Sequence, residues 1–228
     1  MNKLSNIRII SVDVFRTLIN IQPGSEIIWR QFLKDRFPPD QSQQFKDRAE
    51  AILARRWNDV GVGKSRFRNV RMVIEETVIE LFNEINFNYD SKTVTNFLVD
   101  QHKLRRLYDD VLPFLETAGK KYPICISSDG DLDMLLDIQD IYPFDHVFAS
   151  ETLKTYKLNP QFFSYVASHY QVKPDNILHI GDSSSDILGP KQYGVFTCWL
   201  NRKCRPWVHQ VLPDFEVNSL LKVIDILK

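Results

Sequence analysis

Short apolar runs rich in Ile and Val, each ending in a polar residue, constrain this chain more than any other feature. Ile7–Val12 leads into Asp13, Ile124–Ile126 into Ser127 and Ser128, and Ile177–Ile180 through Gly181 into Asp182. Two further runs, His146–Ala149 and Val195–Leu200, have the same character. Near-continuous hydrophobic runs of this length are expected for parallel strands buried on both faces. Open α/β sheets build their sites at the carboxyl ends of such strands, where these acids and hydroxyls would meet.

The segments between the runs carry helical periodicity. Pro23 and Gly24 read as a turn, and Ser25 as the cap of a helix through Ile28, Trp29, Phe32 and Leu33. Pro38-Pro39 ends it. Phe45, Ala49, Ile52 and Leu53, then Val70, Val73, Ile74, Val78 and Leu81, recur at helical spacing. Later helices are expected over Val111–Ala118, Asp131–Ile138, Pro160–His169, Asp186–Tyr193 and Ser219–Leu227. A strand, a long helical block and then repeated βα units give an α/β fold: a Rossmann-like parallel sheet with an inserted helical cap. The expected division is a core of residues 1–19 and 97–228 with a cap of residues 20–96.

Composition narrows the partners. Lys plus Arg equals Asp plus Glu, 29 against 29, so no overall charge draws the chain to nucleic acid or to an anionic membrane. The N-terminal apolar run is too short for a secretory leader, and no stretch is long enough to span a bilayer. Cys125, Cys198 and Cys204 form no paired framework. A cytoplasmic protein is expected, as a monomer or as a homodimer through the cap.

The strand ends suggest a chemistry. A carboxylate such as Asp13 can attack phosphorus, or a halogen-bearing carbon, and form an ester. An anion approaching a phosphoryl group needs that group neutralised, and Mg²⁺ on oxygen ligands does so. Asp13, Asp182 and Asp186 are the candidate ligands. Without an ion, three close carboxylates repel and raise their pKa values. Lys157 would balance the nucleophile's charge, and Ser128 or Ser127 would donate to phosphoryl oxygens. Thr17 would fix the loop or donate in the same way. Gly181 would allow a sharp turn into the acidic loop.

Taken in order, Asp13-Val14-Phe15-Arg16-Thr17-Leu18, Ile126-Ser127-Ser128-Asp129, Ser150-Glu151 with Lys157, and His179-Ile180-Gly181-Asp182-Ser183-Ser184-Ser185-Asp186 resemble the four motifs of the haloacid dehalogenase-like hydrolases. The closest likeness is to bacterial members whose first motif is Asp-Val-Phe-Asp-Thr-Leu. That resemblance implies Asp13 as nucleophile, Thr17 and Ser128 as phosphate contacts, Lys157 as the stabilising lysine, and Asp182 with Asp186 around Mg²⁺. It implies a small phosphorylated molecule as substrate. Ser128 is favoured over Ser127 because Ser128-Asp129-Gly130 resembles the family's Ser-Asn-Gly.

Two positions depart from the family pattern. Phosphatases of the family usually carry Asp two residues after the nucleophile, as acid and base; here Phe15 stands there, and only its backbone carbonyl can serve a metal. Losing a general acid/base costs about 10²–10⁴-fold. Arg16 replaces an Asp or Gly, with three readings: it binds a second anionic group, points to solvent, or fills the phosphate site of an inactive protein. Two other functions follow from these departures. One is a catalytically weak or inactive module that binds a phosphate ligand or a protein. The other is 2-haloacid dehalogenation, which Phe15 and Trp29-Arg30-Gln31 resemble but the retained Asp182 opposes.

The remaining candidates have plainer readings. His179 reads as a packed core histidine, Asp129 and Asp131 as helix caps, and Glu151 as support for Lys157 or a turn. Arg48, Arg55, Arg56, Lys64, Arg66, Arg68 and Arg71 read mainly as a solvated helix face with acidic neighbours. Trp199, Trp207 and Phe215 are expected on the far side of the core.

Overall fold

The computed structural model describes residues 4–21, 25–103 and 106–228, with residues 25–28 described by backbone alone. Pro23 and Gly24 lie outside the described residues, as do the side chains of Ser25 and Ile28. Six strands form one parallel sheet: β1 (Ile9–Val12), β2 (Ile124–Ser128), β3 (Val147–Ala149), β4 (Ile177–Gly181), β5 (Phe196–Leu200) and β6 (Phe215–Val217). Their order is β3-β2-β1-β4-β5-β6. The chain fills one side of β1 and then returns to fill the other. The winding therefore reverses between β1 and β4, where α/β sheets open a crevice for ligands. Val12 pairs with Ile180 across that reversal, so Asp13 and Asp182 emerge side by side.

The excursion after β1 is helical: α1 (Ser25–Leu33), α2 (Ser42–Gly61), α3 (Val70–Glu84) and α4 (Ser91–His102). After it come α5 (Val111–Ala118), α6 (Leu132–Leu135), α7 (Ile138–Ile141), α8 (Ser150–Leu153), α9 (Gln161–Tyr170), α10 (Ser185–Tyr193) and α11 (Leu220–Ile226). Alternation along the strands sorts the core. Ile10, Val12, Ile124, Ile126, Leu178 and Ile180 pack with α5 and α11. Ile9, Cys125 and Ile177 pack with Phe162, Phe163 and Val166 of α9. Each such side chain contributes about 1.5–3 kcal/mol when fully buried. Ser11, Ser127 and His179 share the face of Ile9, Cys125 and Ile177 by the same alternation, and they form a polar stripe inside it.

The cap has its own apolar centre, built from Trp29, Phe45, Ile52, Val73, Val78, Val94 and Val99, with Met134 and Tyr156 entering from the core. Val94 and Val99 belong to α4, so the helical block runs to His102, past the expected boundary at residue 96. The helix expected over Asp131–Ile138 is broken. Leu136 is extended and Asp137 is left-handed (φ 63°), which separates α6 from α7.

Core and cap are joined twice over. The two connecting segments lie side by side, with Ile19 bridging Leu107 and Asn20 N donating to Arg106 O at 2.6 Å. At the other contact, buried Asp131 accepts the N–H groups of Val70 (2.7 Å) and Arg71 (2.9 Å), the first residues of α3. Arg71 also pairs with Asp133 at 2.6 Å, and Glu151 accepts from Asn69 (3.1 Å) and Leu132 N (2.8 Å). Glu151 therefore caps a turn and reaches the cap. Arg48, Arg55 and Arg56 pair with Glu84, Glu80 and Glu76 between α2 and α3, so these three arginines are neutralised within the cap.

Candidate active site

Asp13 leaves β1 with its N–H on Ile180 O at 2.9 Å, which ties the first acid to β4. Lys157 comes from the loop before α9. Its Nζ donates to Asp13 Oδ1 and to Asp186 Oδ1, each at 2.5 Å, and it is almost wholly buried. The Lys157 N–H donates to Asp129 Oδ1 at 2.8 Å. Gly189 of α10 makes this approach possible, since a Cβ there would lie 1.8 Å from Lys157 O.

Asp186, on the first turn of α10, is held by donors on both oxygens. Lys157 Nζ and His179 Nε2 meet Oδ1, while Ser183 N (2.9 Å) and Ser183 Oγ (2.6 Å) donate to Oδ2. Gly181 serves this packing, because a Cβ there would lie 2.2 Å from Asp186 Cγ. Its φ is not positive, so space and not the expected turn geometry demands glycine. His179 is fully buried, with Nδ1 2.9 Å from Ser11 Oγ and Nε2 2.9 Å from Asp186 Oδ1. Burial lowers its pKa, with Asp186 opposing. Nε2 faces the carboxylate of Asp186, and Nδ1 faces the Ser11 hydroxyl, which donates to Ser127. The packed-histidine expectation thus holds, with the ring also anchoring Asp186.

Burial is the main cause that pushes the Asp13 carboxyl up to about 6, with Asp186 and Asp182 adding to it and Lys157 opposing. Burial likewise pushes Asp129 up to about 7. It also opposes ionisation of Asp186, yet Lys157 and His179 hold that carboxyl well below its usual range. The difference is one of donors: four on Asp186, one on Asp13. Burial works against the Lys157 ammonium, but Asp13, Asp186 and Asp129 hold its pKa far above normal.

The two serines of β2 separate cleanly. Ser127 Oγ is bonded to Ser11 Oγ at 2.7 Å within the sheet stripe. Ser128 Oγ and Thr17 Oγ1 are buried with no partner among the described residues, and so is Asp129 Oδ2. Buried hydroxyls are ordinarily bonded, so unpartnered ones at strand ends suit oxygens that arrive with a ligand. Phe15 packs edge-on against His102, with ring centres 5.3 Å apart, between the core and cap clusters.

Asp13, Asp182 and Asp186 offer oxygens that lie within 4.8 Å of one another. Hard carboxylate oxygens in this number fit Mg²⁺. Asp186 has its lone pairs occupied and would join an ion only by giving up a donor. Asp13 and Asp182 each keep one oxygen unbonded among the described residues.

The sequence left open the part played by several residues at this sheet edge. Arg16 takes a left-handed backbone (φ 65°) and places Nε 3.3 Å from Asp182 Oδ2. Arg205 comes within 3.6 Å of the same oxygen. Trp199, expected on the far side, donates its indole N–H to Asp182 O at 3.0 Å. Arg202 grips Asp110 with two bonds and donates to Thr17 O at 2.9 Å, which braces the nucleophile loop. Trp199, Arg202 and Arg205 lie at or just beyond the end of β5, so position at a strand's carboxyl end was their available signal.

A family model described as haloacid dehalogenase-like hydrolase matches residues 7–194. The chain belongs to the haloacid dehalogenase-like hydrolases. Among known members of this hydrolase family it is similar to the HAD-hydrolase YfnB of Bacillus subtilis, 24% identical over 96% of this chain and 95% of that one. A crystal structure of YfnB bound to magnesium superposes with a TM-score of 0.76, covering 97% of this chain and 99% of the other. The L-2-haloacid dehalogenase of Xanthobacter autotrophicus shares the fold at 16% identity, with a TM-score of 0.77 over 97% of this chain and 98% of that one. The pyrimidine 5'-nucleotidase YjjG of Escherichia coli is 36% identical over 37% of this chain and 38% of its own length. Among the described residues, no helix is long and apolar enough to cross a membrane.

Proposed function

We propose that this hydrolase is a Mg²⁺-dependent phosphohydrolase or phosphotransferase that acts on a small phosphorylated molecule through Asp13. The observation that carries the reading is the cluster of Asp13, Asp182 and Asp186, in which one buried lysine binds Asp13 and Asp186, beside two unpartnered hydroxyls. Magnesium in the YfnB crystal and the nucleotidase YjjG among the relatives support it. When bound at the carboxylates, Mg²⁺ neutralises the phosphoryl oxygens.

The remaining work falls to this chain's own groups. Asp13 forms the bond to phosphorus as the leaving oxygen departs, giving an aspartyl phosphate. Lys157 balances the charge of that carboxylate, and Thr17 and Ser128 donate to the equatorial oxygens. Arg202 and Lys157 hold the loop and the nucleophile in place. Phe15 offers no proton to the leaving oxygen, so acyl and aryl phosphates are favoured over alkyl esters. Water then attacks the phosphorus without a base at residue 15, the P–O bond to Asp13 breaks, and phosphate leaves with the water's protons while the Asp13 carboxylate is restored.

Specific observations favour two other readings. Phe15 and the likeness to the Xanthobacter dehalogenase favour halide displacement by Asp13. Arg16 on Asp182 favours a weak or inactive ligand-binding module. Hydrolysis of acetyl phosphate and p-nitrophenyl phosphate, with Mg²⁺ and with EDTA, separates the three. Metal-dependent turnover lost in Asp13→Asn is the expected result. Halide release from 2-chloropropionate without metal would replace it with dehalogenation, and no turnover of either class would leave the binding module.

A further inference from the structure

The acids of the cluster differ in who neutralises them. Asp186 is held by four interior donors and Asp13 by buried Lys157. Asp182 instead meets two surface guanidiniums, Arg16 at 3.3 Å and Arg205 at 3.6 Å, whose side chains are 57% and 50% exposed. Neither arginine forms another ion pair among the described residues. Both are also fixed by their backbones. Arg16 sits left-handed with its N–H on Ile19 O at 2.7 Å. Asn201 clamps Arg205 through Arg205 N (2.9 Å) and Arg205 O (2.8 Å), and the Arg205 side chain also donates to Asp182 O at 3.3 Å.

We infer, on the metal-dependent reading above, that Arg16, aided by Arg205, is a tethered competitor of the divalent ion for Asp182. The guanidinium and the ion seek the same negative charge. Whatever stabilises the free carboxylate weakens the ligand that replaces it, by linkage. A divalent ion on Asp182 also repels a guanidinium held beside it. Asp182 is thereby the exchangeable ligand of the cluster, and residue 16 sets how much free metal the site needs. One exposed pair of this kind corresponds to about a two- to fivefold change in affinity.

Mg²⁺ alone, titrated calorimetrically into the metal-stripped full chain, tests this without reading turnover. Arg16→Gln is expected to bind Mg²⁺ about two- to fivefold tighter than wild type, and Arg16→Gln with Arg205→Gln about tenfold tighter. Arg16→Lys, which keeps the charge on the same backbone, is expected to stay near wild type and so separates charge from strain. Asp182→Asn is expected to weaken binding at least tenfold. If binding depends on Asp182 but Arg16→Gln is equal to or weaker than wild type, the competitor role is overturned and the metal-dependent reading stands. If Asp182→Asn binds like wild type, the ion is not on Asp182 and both are overturned.

Discussion

Replacing Asp131 by Ala removes the carboxylate that accepts the first backbone N–H groups of α3 from the sheet's edge. Both of its oxygens are used, on Val70 N at 2.7 Å and on Arg71 N at 2.9 Å. Val70 is buried, so its freed N–H loses a partner that water cannot replace, which costs about 1–3 kcal/mol. Arg71 is half-buried and recovers part of its bond from water, leaving a loss of about 0.5–1.5 kcal/mol. The sum is about 1.5–4.5 kcal/mol. The helix itself keeps a cap, because Asn69 accepts from Met72 N at 3.0 Å. The loss therefore falls on the junction of core and cap. Guanidinium unfolding measures the total, and amide exchange at Val70 and Arg71 locates it. Asp131→Asn, which keeps one acceptor oxygen, should lose less than half as much. A loss below about 0.5 kcal/mol in Asp131→Ala, with exchange at both amides unchanged, would refute the reasoning.

Three further outcomes follow from the same geometry. His179→Leu takes one partner each from Ser11, which keeps Ser127, and from Asp186, which keeps Lys157 and Ser183, and should cost about 1–3 kcal/mol, with His179→Gln recovering at least half in thermal unfolding. Phe15→Asp should speed release of phosphate from alkyl esters by about 10²-fold while changing acetyl phosphate far less; an equal gain on both would show that leaving-group protonation is not what Phe15 lacks. At Asp110, burial raises the carboxyl, but Arg202, Ser219 and Leu220 N together hold it below its usual range. Its folded pKa is thus depressed, and its contribution is present above the unfolded value and lost as pH falls through the folded one. The stability gap between wild type and Asp110→Asn should be full at neutral pH and shrink below about pH 4.

The interior of the sheet was legible because buried parallel strands leave an apolar signature: β1, β2 and β4 stand where their Ile-rich runs predicted. The edge was less so. β6 is Phe215-Glu216-Val217, too short and too mixed to announce a strand. Within α4, Val94 and Val99 face the cap centre, but Lys92, Thr93, Thr95 and Asn96 dilute the periodicity. Asp13, Lys157, Asp182 and Asp186 were readable because each follows or closes a strand unit, and the structure brings all four together. Arg16 could not be resolved from sequence, since its role depends on a left-handed backbone that nothing in Phe15-Arg16-Thr17 signals. Trp199 was placed on the wrong side because its indole N–H, and not its bulk, decides its position beside Asp182.

The side-by-side connections at Ile19–Asn20 and Arg106–Leu107 make the helical block a cassette. Its entry and exit are already in hydrogen-bonding contact, so a short splice between them would close the chain without stretching the sheet. What such a trimmed protein would bare is the underside of the block, where Met134 and Tyr156 now sit among cap side chains. A minimal core would need those two replaced by polar residues to stay soluble. A transplanted cap would need to supply a pocket for the same two.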